Sequence, residues 1–383
     1  MRKHTAVGID IGTQDIKVVV ASSDGTGERA LPKIIGTSTV ESKGVRHGYV
    51  VNISETAKSL RIAIAQAERA SGVKIRKAFV SIGGVSLQSV STLGSVIISR
   101  GDSEVSELDL DKATAAAERN LSTSQTSNRR IIHTIPLSYR IDGKPVFGRP
   151  QGMKGNKLEA KVLFITCLTQ HLEDLIETCD EAGVEVLDVT AAPIAASLVL
   201  LSKNQKVAGC VLADMGSETT SIVVYENNLP ISLEVFPIGS TDVTNDIALG
   251  LKIPIEDAEG VKRGGPAAAQ FSKKKLDDIM GARLYDIFEL IEEHLKKIDR
   301  NGLLPAGIIL SGGGSGISGI DGLAKESLGL PSRVILARDS AISVAYGLGM
   351  LGLGTEEAND VHGVRRGTSM LAKPLAWLRQ LLP

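Results

Sequence analysis

Near the start of the chain an apolar run, Ile9-Asp10-Ile11, stops at Gly12-Thr13-Gln14, and the β-branched run Lys17-Val18-Val19-Val20 follows at once. About two hundred positions later Ala213-Asp214-Met215 stops at Gly216-Ser217-Glu218, and Ser221-Ile222-Val223-Val224 follows. Each block predicts a strand, a tight turn and a second strand, and the repetition predicts two similar halves facing each other. Strand patterns dominate residues 5–40. Over 54–71 the period changes, with Ala57, Leu60, Ile64 and Ala67 recurring at threes and fours and Glu55 and Glu68 outward. A helix is predicted there, ended by Gly72.

The texture changes over residues 85–162. Short alternating strands at 93–99 and 131–141, a Ser/Asp/Glu-rich turn at 101–109 and a helix over 108–120 predict a separate small α+β unit. A strand at 160–167 and a helix at 170–182 return the chain to the first half, and an Ala-rich helix over 191–201 leads to the second. Residues 233–301 read as largely helical, with a long amphipathic run over 276–298 and Lys273-Lys274-Lys275 before it as a solvated turn. A strand then breaks into Ser311-Gly312-Gly313-Gly314-Ser315-Gly316, with a helix over 319–328 behind it.

Composition narrows the partners more than the fold. With 383 residues, 43% hydrophobic and 23% charged, the chain can bury cores in more than one domain. A net charge of −1 supplies no global field for nucleic acid, which is not an expected partner. Cys167, Cys179 and Cys210 are an odd number without CxxC or His spacing, so buried thiols are expected in place of a disulfide framework or zinc site. The longest apolar stretch is too short to span a bilayer, and Asp10 interrupts the run a signal peptide needs; a cytoplasmic location is expected.

The repeated turns carry the chemistry. A glycine lets backbone approach an anion closely, turn N–H groups and the Thr13 or Ser217 hydroxyl donate to phosphate oxygens, and Asp10 and Asp214 would hold Mg²⁺ through water. Taken singly, an Asp before Gly is a turn former. Duplication in equivalent places favours the phosphate and metal role. Lys17, at the start of a strand, is open between an exposed charge and a phosphate contact. Gly312, Gly313, Gly314 and Ser315 offer bare backbone and a helix N-terminus to a ring or an α-phosphate. No GxxxxGK[ST] loop occurs, and no convincing GxGxxG with a downstream acid. Glu259 and Lys262 stand one turn apart, the spacing of a helical surface ion pair.

The two hairpins and the glycine loop together resemble the actin, Hsp70 and sugar-kinase superfamily. Asn245-Asp246-Ile247-Ala248 and Ala258-Glu259-Gly260-Val261-Lys262 are similar to the Asp-Ile-Ala and Ala-Glu-x-x-Lys stretches of the bacterial cell-division family FtsA. Ile132-His133-Thr134-Ile135-Pro136, Tyr139, Asp142-Gly143, the stretch from Gly148 to Met153 and Leu158-Glu159-Ala160 resemble further stretches of that family not shared with actin, MreB or Hsp70. The resemblance covers the chain to about Gly352.

It implies an α/β, actin-like (ribonuclease H-like) two-domain ATPase fold with an inserted α+β subdomain of 1C type. Residues 1–84 and 163–190 would form the first core (1A), 85–162 the insertion (1C), 191–232 and 302–352 the second core (2A) and 233–301 a helical subdomain (2B). Residues 353–368 would be a linker and 369–383 a membrane-targeting helix. It implies ATP and Mg²⁺ in the interdomain cleft, with Asp10, Gly12, Thr13, Gln14, Lys17, Asp214, Gly216, Ser217, Thr219, Gly312, Gly313, Gly314 and Ser315 around the nucleotide and Glu259 and Lys262 toward its ribose and ring. The implied partners are the FtsZ C-terminal peptide on 2B, further copies in filaments, an anionic membrane surface and later division proteins, at the cytoplasmic face of the cell membrane at the division site. Rival readings are a PilM-like pilus adaptor and a sugar-kinase-type enzyme.

Two positions depart from the superfamily pattern. Glu218 stands where a second small residue is usual; its carboxylate would either repel phosphate or face away. Ala192 precedes Pro193 where MreB-like filaments carry a Glu that orients the attacking water. Hydrolysis is therefore expected to be slow, with nucleotide acting as a switch.

The tail has its own pattern. Residues 353–368 are polar and Gly-punctuated. Taking about 100° per residue, Met370, Leu371, Leu375, Trp377, Leu378, Leu381 and Leu382 fall within an arc of about 160°, with Lys373 and Arg379 outside it. No acid follows Asp360, and the chain's one Trp lies here. An apolar face with basic flanks and an interfacial Trp predicts a helix lying in an anionic membrane surface; the rival is a terminal helix docked on the body. Pro374 limits the regular part to about nine residues, so the helix would form on contact with lipid and bind reversibly as a single copy.

Overall fold

The computed structural model describes residues 4–23, 31–99, 101–336 and 340–362, with side chains described to residue 354. Its strands are β1 (His4–Ile11), β2 (Asp15–Ser23), β3 (Lys33–Glu41), β4 (Val45–Arg46), β5 (Tyr49–Val50), β6 (Lys77–Ile82), β7 (Gln88–Ile97) and β8 (Arg129–Ile141). There follow β9 (Lys144–Val146), β10 (Lys157–Leu168), β11 (Glu185–Ala191), β12 (Cys210–Met215), β13 (Thr220–Glu226), β14 (Leu229–Phe236), β15 (Ile308–Ser311) and β16 (Ser332–Val334). One sheet has the order β11-β6-β1-β2-β3, with β1, β2 and β3 antiparallel and β6 and β11 added in parallel. The run β16-β15-β12-β13-β14 repeats that order with the same directions. The two predicted hairpins are thus β1–β2 and β12–β13, at equivalent places in two copies of one sheet.

Alternation along the strands explains why both sheet faces are covered. Val211, Ala213 and Met215 of β12 enter a core shared with the helices Ser240–Leu251 and Lys273–Lys297, while Cys210 and Leu212 enter a core that spans both halves. The helix Ile53–Ser71 backs the first sheet; the Asn52 side chain accepts from the Glu55 amide at 3.1 Å, and Gly72 ends the helix at φ 72°.

The halves are joined by two helices. Ala192–Leu200 starts with Pro193 near its N-terminus, and its Ser197 hydroxyl lies 2.7 Å from the Tyr225 hydroxyl of β13. Ser343–His362 packs across β1 and that helix with backbone against backbone. A Cβ on Gly8 would collide with the Ala345 carbonyl, and one on Gly347 with the Ala195 carbonyl. This helix also runs through residues 353–362, which the sequence reads as linker. Just before that segment, Gly347, Gly349 and Gly352 make close contacts with Ala195, Ala21 and Phe79. The rest of the expected linker, 363–368, and the expected membrane helix with Met370, Leu371, Lys373, Leu375, Trp377, Leu378, Arg379, Leu381 and Leu382 lie outside the described residues. Among the described residues no helix is long and apolar enough to cross a membrane.

The unit between β7 and β10 has its own core, in which Leu110, Ala113 and Ala117 of the helix Glu107–Arg119 meet Leu158, Ala160, Val162 and Phe164 of β10. It is nevertheless not a separate sheet. Gln88 of β7 pairs with Glu234 of β14, extending the second half's sheet through β7-β10-β8-β9 to nine strands. The Ser89 hydroxyl fixes this junction, donating to the Leu233 carbonyl at 2.8 Å and accepting from the Leu233 amide at 2.7 Å. The other face of β10, with Leu163, Ile165 and Cys167, belongs to the large core between the halves.

Lys273, Lys274 and Lys275 form the first turn of a helix capped by Ser272 and are not a turn before it. Lysine's helix propensity outweighs the unfavourable dipole there, and the apolar stripe starting at Leu276 holds the turn down. Cys167, Cys179 and Cys210 are all buried.

Gly347→Val should cost about 1–3 kcal/mol of unfolding free energy through overpacking against Ala195. Gly354→Ala, whose Cβ meets open space, should cost nothing in the same urea titration.

Candidate functional site

Both hairpins close their turns in the same way: the Gly12 amide donates to the Asp15 carbonyl at 3.1 Å and the Gly216 amide to the Thr219 carbonyl at 2.8 Å. Strand register sets Asp10 opposite Lys17 and Asp214 opposite Ser221. The turns face each other across a cavity of about 450 Å³, within the usual range for small-molecule sites. Asp10, Gly12, Thr13, Gln14, Lys17, Asp214, Gly216, Ser217, Thr219, Glu259, Lys262, Gly312 and Gly313 line it. Gly314 and Ser315 do not. They are buried beneath the loop, with the Ser315 hydroxyl donating to the Gly312 carbonyl at 2.8 Å, and Gly316 and the buried Ile317 take their place in the cavity lining.

Each aspartate is held by a buried serine that the sequence analysis did not single out. Ser81, on the strand parallel to β1, donates to Asp10 Oδ1 at 2.7 Å; Ser311, on the strand parallel to β12, donates to Asp214 Oδ1 at 3.3 Å. Gly83 and Gly84, following Ser81, line the cavity as Gly312 and Gly313 do. The signal was present as Ser81-Ile82-Gly83-Gly84 against Ser311-Gly312-Gly313-Gly314. Gly312 adopts φ 86°, and a Cβ there would collide with Asp214 Oδ1 and the Met215 carbonyl; a Cβ on Gly313 meets no protein atom within 4 Å. The loop therefore exposes bare backbone on the cavity side only.

Burial pushes the Asp214 carboxyl above the usual carboxylate range; Lys17 opposes the rise and Asp10 adds to it. Two facing carboxylates balanced by one lysine fit a divalent cation, which would relieve their repulsion.

The remaining wall comes from Ser240–Leu251 and Ile255–Lys262. The Ser240 and Thr241 amides donate to the Gly216 and Ser217 carbonyls at 2.9 and 2.8 Å, pinning the first helix to the second hairpin. Lys262 Nζ donates to Ser240 O at 3.0 Å, Thr244 Oγ1 at 2.8 Å and Glu259 Oε2 at 2.6 Å, which commits its three protons to protein. Glu259 also accepts from Thr244 and Arg263, and these donors hold its carboxyl down to about 2 although burial alone would raise it. The spacing that reads as an ion pair is one, at 2.6 Å, and it lines the cavity as well. Arg263, Ser221 and Ser240 are further lining residues missed in the sequence, as is Asp15.

Glu218 faces away from the cavity. It accepts from Arg46 Nη1 and the His47 amide, each at 2.7 Å, in the turn between β4 and β5. That turn is fixed on the first half: the Gly48 amide donates to Thr13 Oγ1 at 3.1 Å, and its carbonyl accepts from His171 Nε2 at 3.0 Å. With Nε2 donating, His171 Nδ1 accepts from the Ser86 hydroxyl at 2.6 Å. Ala192 lines the cavity where a hydrolytic carboxylate was looked for.

Two family profiles match this chain, "Cell division protein FtsA" over residues 211–347 and "SHS2 domain inserted in FTSA" over 84–166. The cell division protein FtsA of Pseudomonas aeruginosa is 31% identical, with 92% of this chain and 90% of the relative covered. The chain belongs to the FtsA family. FtsA of Bacillus subtilis is also 31% identical, over 91% of this chain and 82% of its own. Solved structures agree on an actin-like fold. The PilM–PilN type IV pilus biogenesis complex matches with TM-score 0.67 at 18% identity, covering 91% of this chain and 98% of that one. Spiroplasma citri MreB5 bound to AMPPNP gives 0.56 at 14% identity over 94% and 99%, and the MamK double helical filament 0.52 at 13% over 91% and 98%.

Because burial penalises the charged form of Asp214, its carboxylate costs folded stability above its raised titration range and nothing below the unfolded value. In metal-free, nucleotide-free buffer, Asp214→Asn should therefore raise the melting temperature at pH 7, and the gain should shrink as pH falls toward 4. A scan at the two pH values checks both parts.

Proposed function

We propose that this FtsA-family protein binds ATP with Mg²⁺ in the cleft, assembles into filaments and ties FtsZ polymers to the inner face of the cytoplasmic membrane at the division site. The observation that carries the nucleotide reading is the symmetric pair Asp10–Ser81 and Asp214–Ser311, set on facing hairpins above a bare-backbone loop. Thr13 and Ser217, with the turn amides, would receive phosphate oxygens, and Lys17 would supply a compensating charge. Asp10 and Asp214 would hold Mg²⁺ through water, where it would neutralise phosphate charge. The Glu259–Lys262 wall would meet the ribose and ring. With Ala192 in place of a carboxylate, hydrolysis is slow and nucleotide serves as an assembly switch.

The helical region of residues 233–301 would receive the FtsZ C-terminal peptide, and the insertion would meet neighbouring copies and later division proteins. Tail residues 369–383 would lie on the membrane. Burying several large side chains there is worth at most on the order of 10 kcal/mol before ordering costs, so a filament's many copies convert reversible contact into firm attachment.

Gly313→Val adds a Cβ that meets no protein atom within 4 Å, so it should leave the melting temperature unchanged while lowering ATP affinity at least tenfold; Asp214→Ala should do the same to affinity. Equilibrium titration with a fluorescent ATP analogue measures both, and full affinity in both variants would overturn the cleft assignment.

Trp377→Asp should abolish co-sedimentation of the monomer with anionic vesicles and leave ATP affinity intact, since a large side chain contributes roughly 1.5–3 kcal/mol when fully buried. Replacing Lys373 and Arg379 by Gln should weaken anionic-vesicle binding by roughly 1 kcal/mol each and change nothing on neutral vesicles. Vesicle binding that survives Trp377→Asp in a destabilised protein would mark the segment as a docked helix.

A further inference from the structure

We propose that Glu218 is a latch between the two halves, and that it sets how fast the cleft opens and nucleotide leaves. The second clause rests on the nucleotide reading; the first stands on contacts alone. Glu218 occupies the turn position of the second hairpin that corresponds to Gln14 in the first, yet its side chain leaves the cavity and crosses to the other half. There its two oxygens take separate donors, Arg46 Nη1 and the His47 amide, at 2.7 Å each. A third contact runs beside them, His47 Nδ1 to the Glu218 carbonyl at 3.2 Å, and since a carbonyl only accepts, Nδ1 carries the proton.

The far side of the bridge is not a passive loop. His47 and Gly48, at φ 46° and 79°, form the two-residue turn that joins Arg46 to Tyr49, a hairpin geometry with positive φ at both positions. Glu218 adds a contact to that turn from the opposite half. The next residue, Gly48, lines the cavity and donates to Thr13 Oγ1 of the first phosphate turn. One short path therefore joins Glu218 of the second hairpin, His47, Gly48 and Thr13 of the first. Opening the cleft must break the Glu218 contacts, and breaking them removes the partner of the His47 amide, one residue before the Gly48 amide.

The two parts of the bridge differ in their donors. Glu218 is 13% exposed and Arg46 73%, so the ion pair rests on a long side chain open to water and salt, whereas the other donor is a backbone amide fixed in the β4–β5 turn. Although burial would raise it, the His47 amide and Arg46 hold the Glu218 carboxyl below the usual range, which keeps the acceptor charged. Arg46 should thus tune the latch and the amide bond should carry it.

The test is stopped-flow release of a fluorescent ATP analogue into excess ATP, with hydrogen exchange of the peptide covering residues 44–50 measured in the nucleotide-free protein. Glu218→Ala should speed release about tenfold with association nearly unchanged, because it removes a charge-assisted bond to a backbone amide as well as the ion pair. Glu218→Gln, which keeps an acceptor for the amide, should fall between. Arg46→Ala should speed release about threefold at low salt and hardly at all at 1 M salt, as an exposed pair does. Exchange over 44–50 should quicken in Glu218→Ala without any nucleotide. Release from Glu218→Ala at the parent rate, or unchanged exchange over 44–50, would overturn the latch. If the parent binds no analogue, the nucleotide reading fails, and the exchange comparison alone decides the latch. If Glu218→Ala does not fold, Arg46→Ala carries both comparisons, and its failure to alter either would count against the proposal.

Discussion

Two carboxylates enter one cavity from opposite directions, and each is gripped by a serine from the neighbouring parallel strand. That arrangement needs two hairpins face to face, hence two copies of one sheet, hence a core common to both halves. It is also electrostatically expensive: Asp214 is pushed toward neutrality by burial and by Asp10, with Lys17 the opposing charge. A fold that maintains such a conflict spends stability on a site, the trade expected where a ligand of opposite charge resolves it.

The rest of the architecture holds the two turns in register. The helix Ser343–His362 reaches β1 and the helix Ala192–Leu200 through glycines that admit no side chain, so its backbone fixes their spacing. On the second half, the Ser240 and Thr241 amides grip the hairpin turn, and Lys262 ties the same helix to Glu259. On the first, the Gly48 turn is held by Thr13 and His171. Each hairpin turn is thus braced from behind, leaving its cavity face bare.

The duplicated Asp-x-Gly turns were legible because a strand's period and a glycine turn are local properties, and so were Lys17, Glu259 and Lys262, which the structure brings to the cavity. Ser81 escaped notice because its meaning depends on strand order: a serine in an apolar strand says nothing until β6 is known to lie beside β1. Glu218 was legible as a departure but not in direction, since its partners Arg46 and His47 are remote in sequence. Gly314 and Ser315 were misplaced for the same reason that the loop was recognised, as composition does not tell the exposed side of a turn from the buried one. The linker reading over 353–362 gave way to a continued helix, and the lysine triplet, solvated as expected, is the first turn of a helix because the apolar stripe behind it carries the helix forward.

The junction at Gln88 and Glu234 has a mechanical meaning. The insertion is spliced into the first half of the sequence, yet its sheet is hydrogen-bonded to the second half, while the opposite face of β10 packs into the core between them. A hinge motion cannot leave it still. Turning one half against the other either shears the Ser89–Leu233 contacts or swings the insertion with β14, so the insertion behaves as a pointer geared to the cleft angle. Small rotations at the aspartates become displacements at its far edge, β9, three strands beyond β7 at the β14–β7 junction.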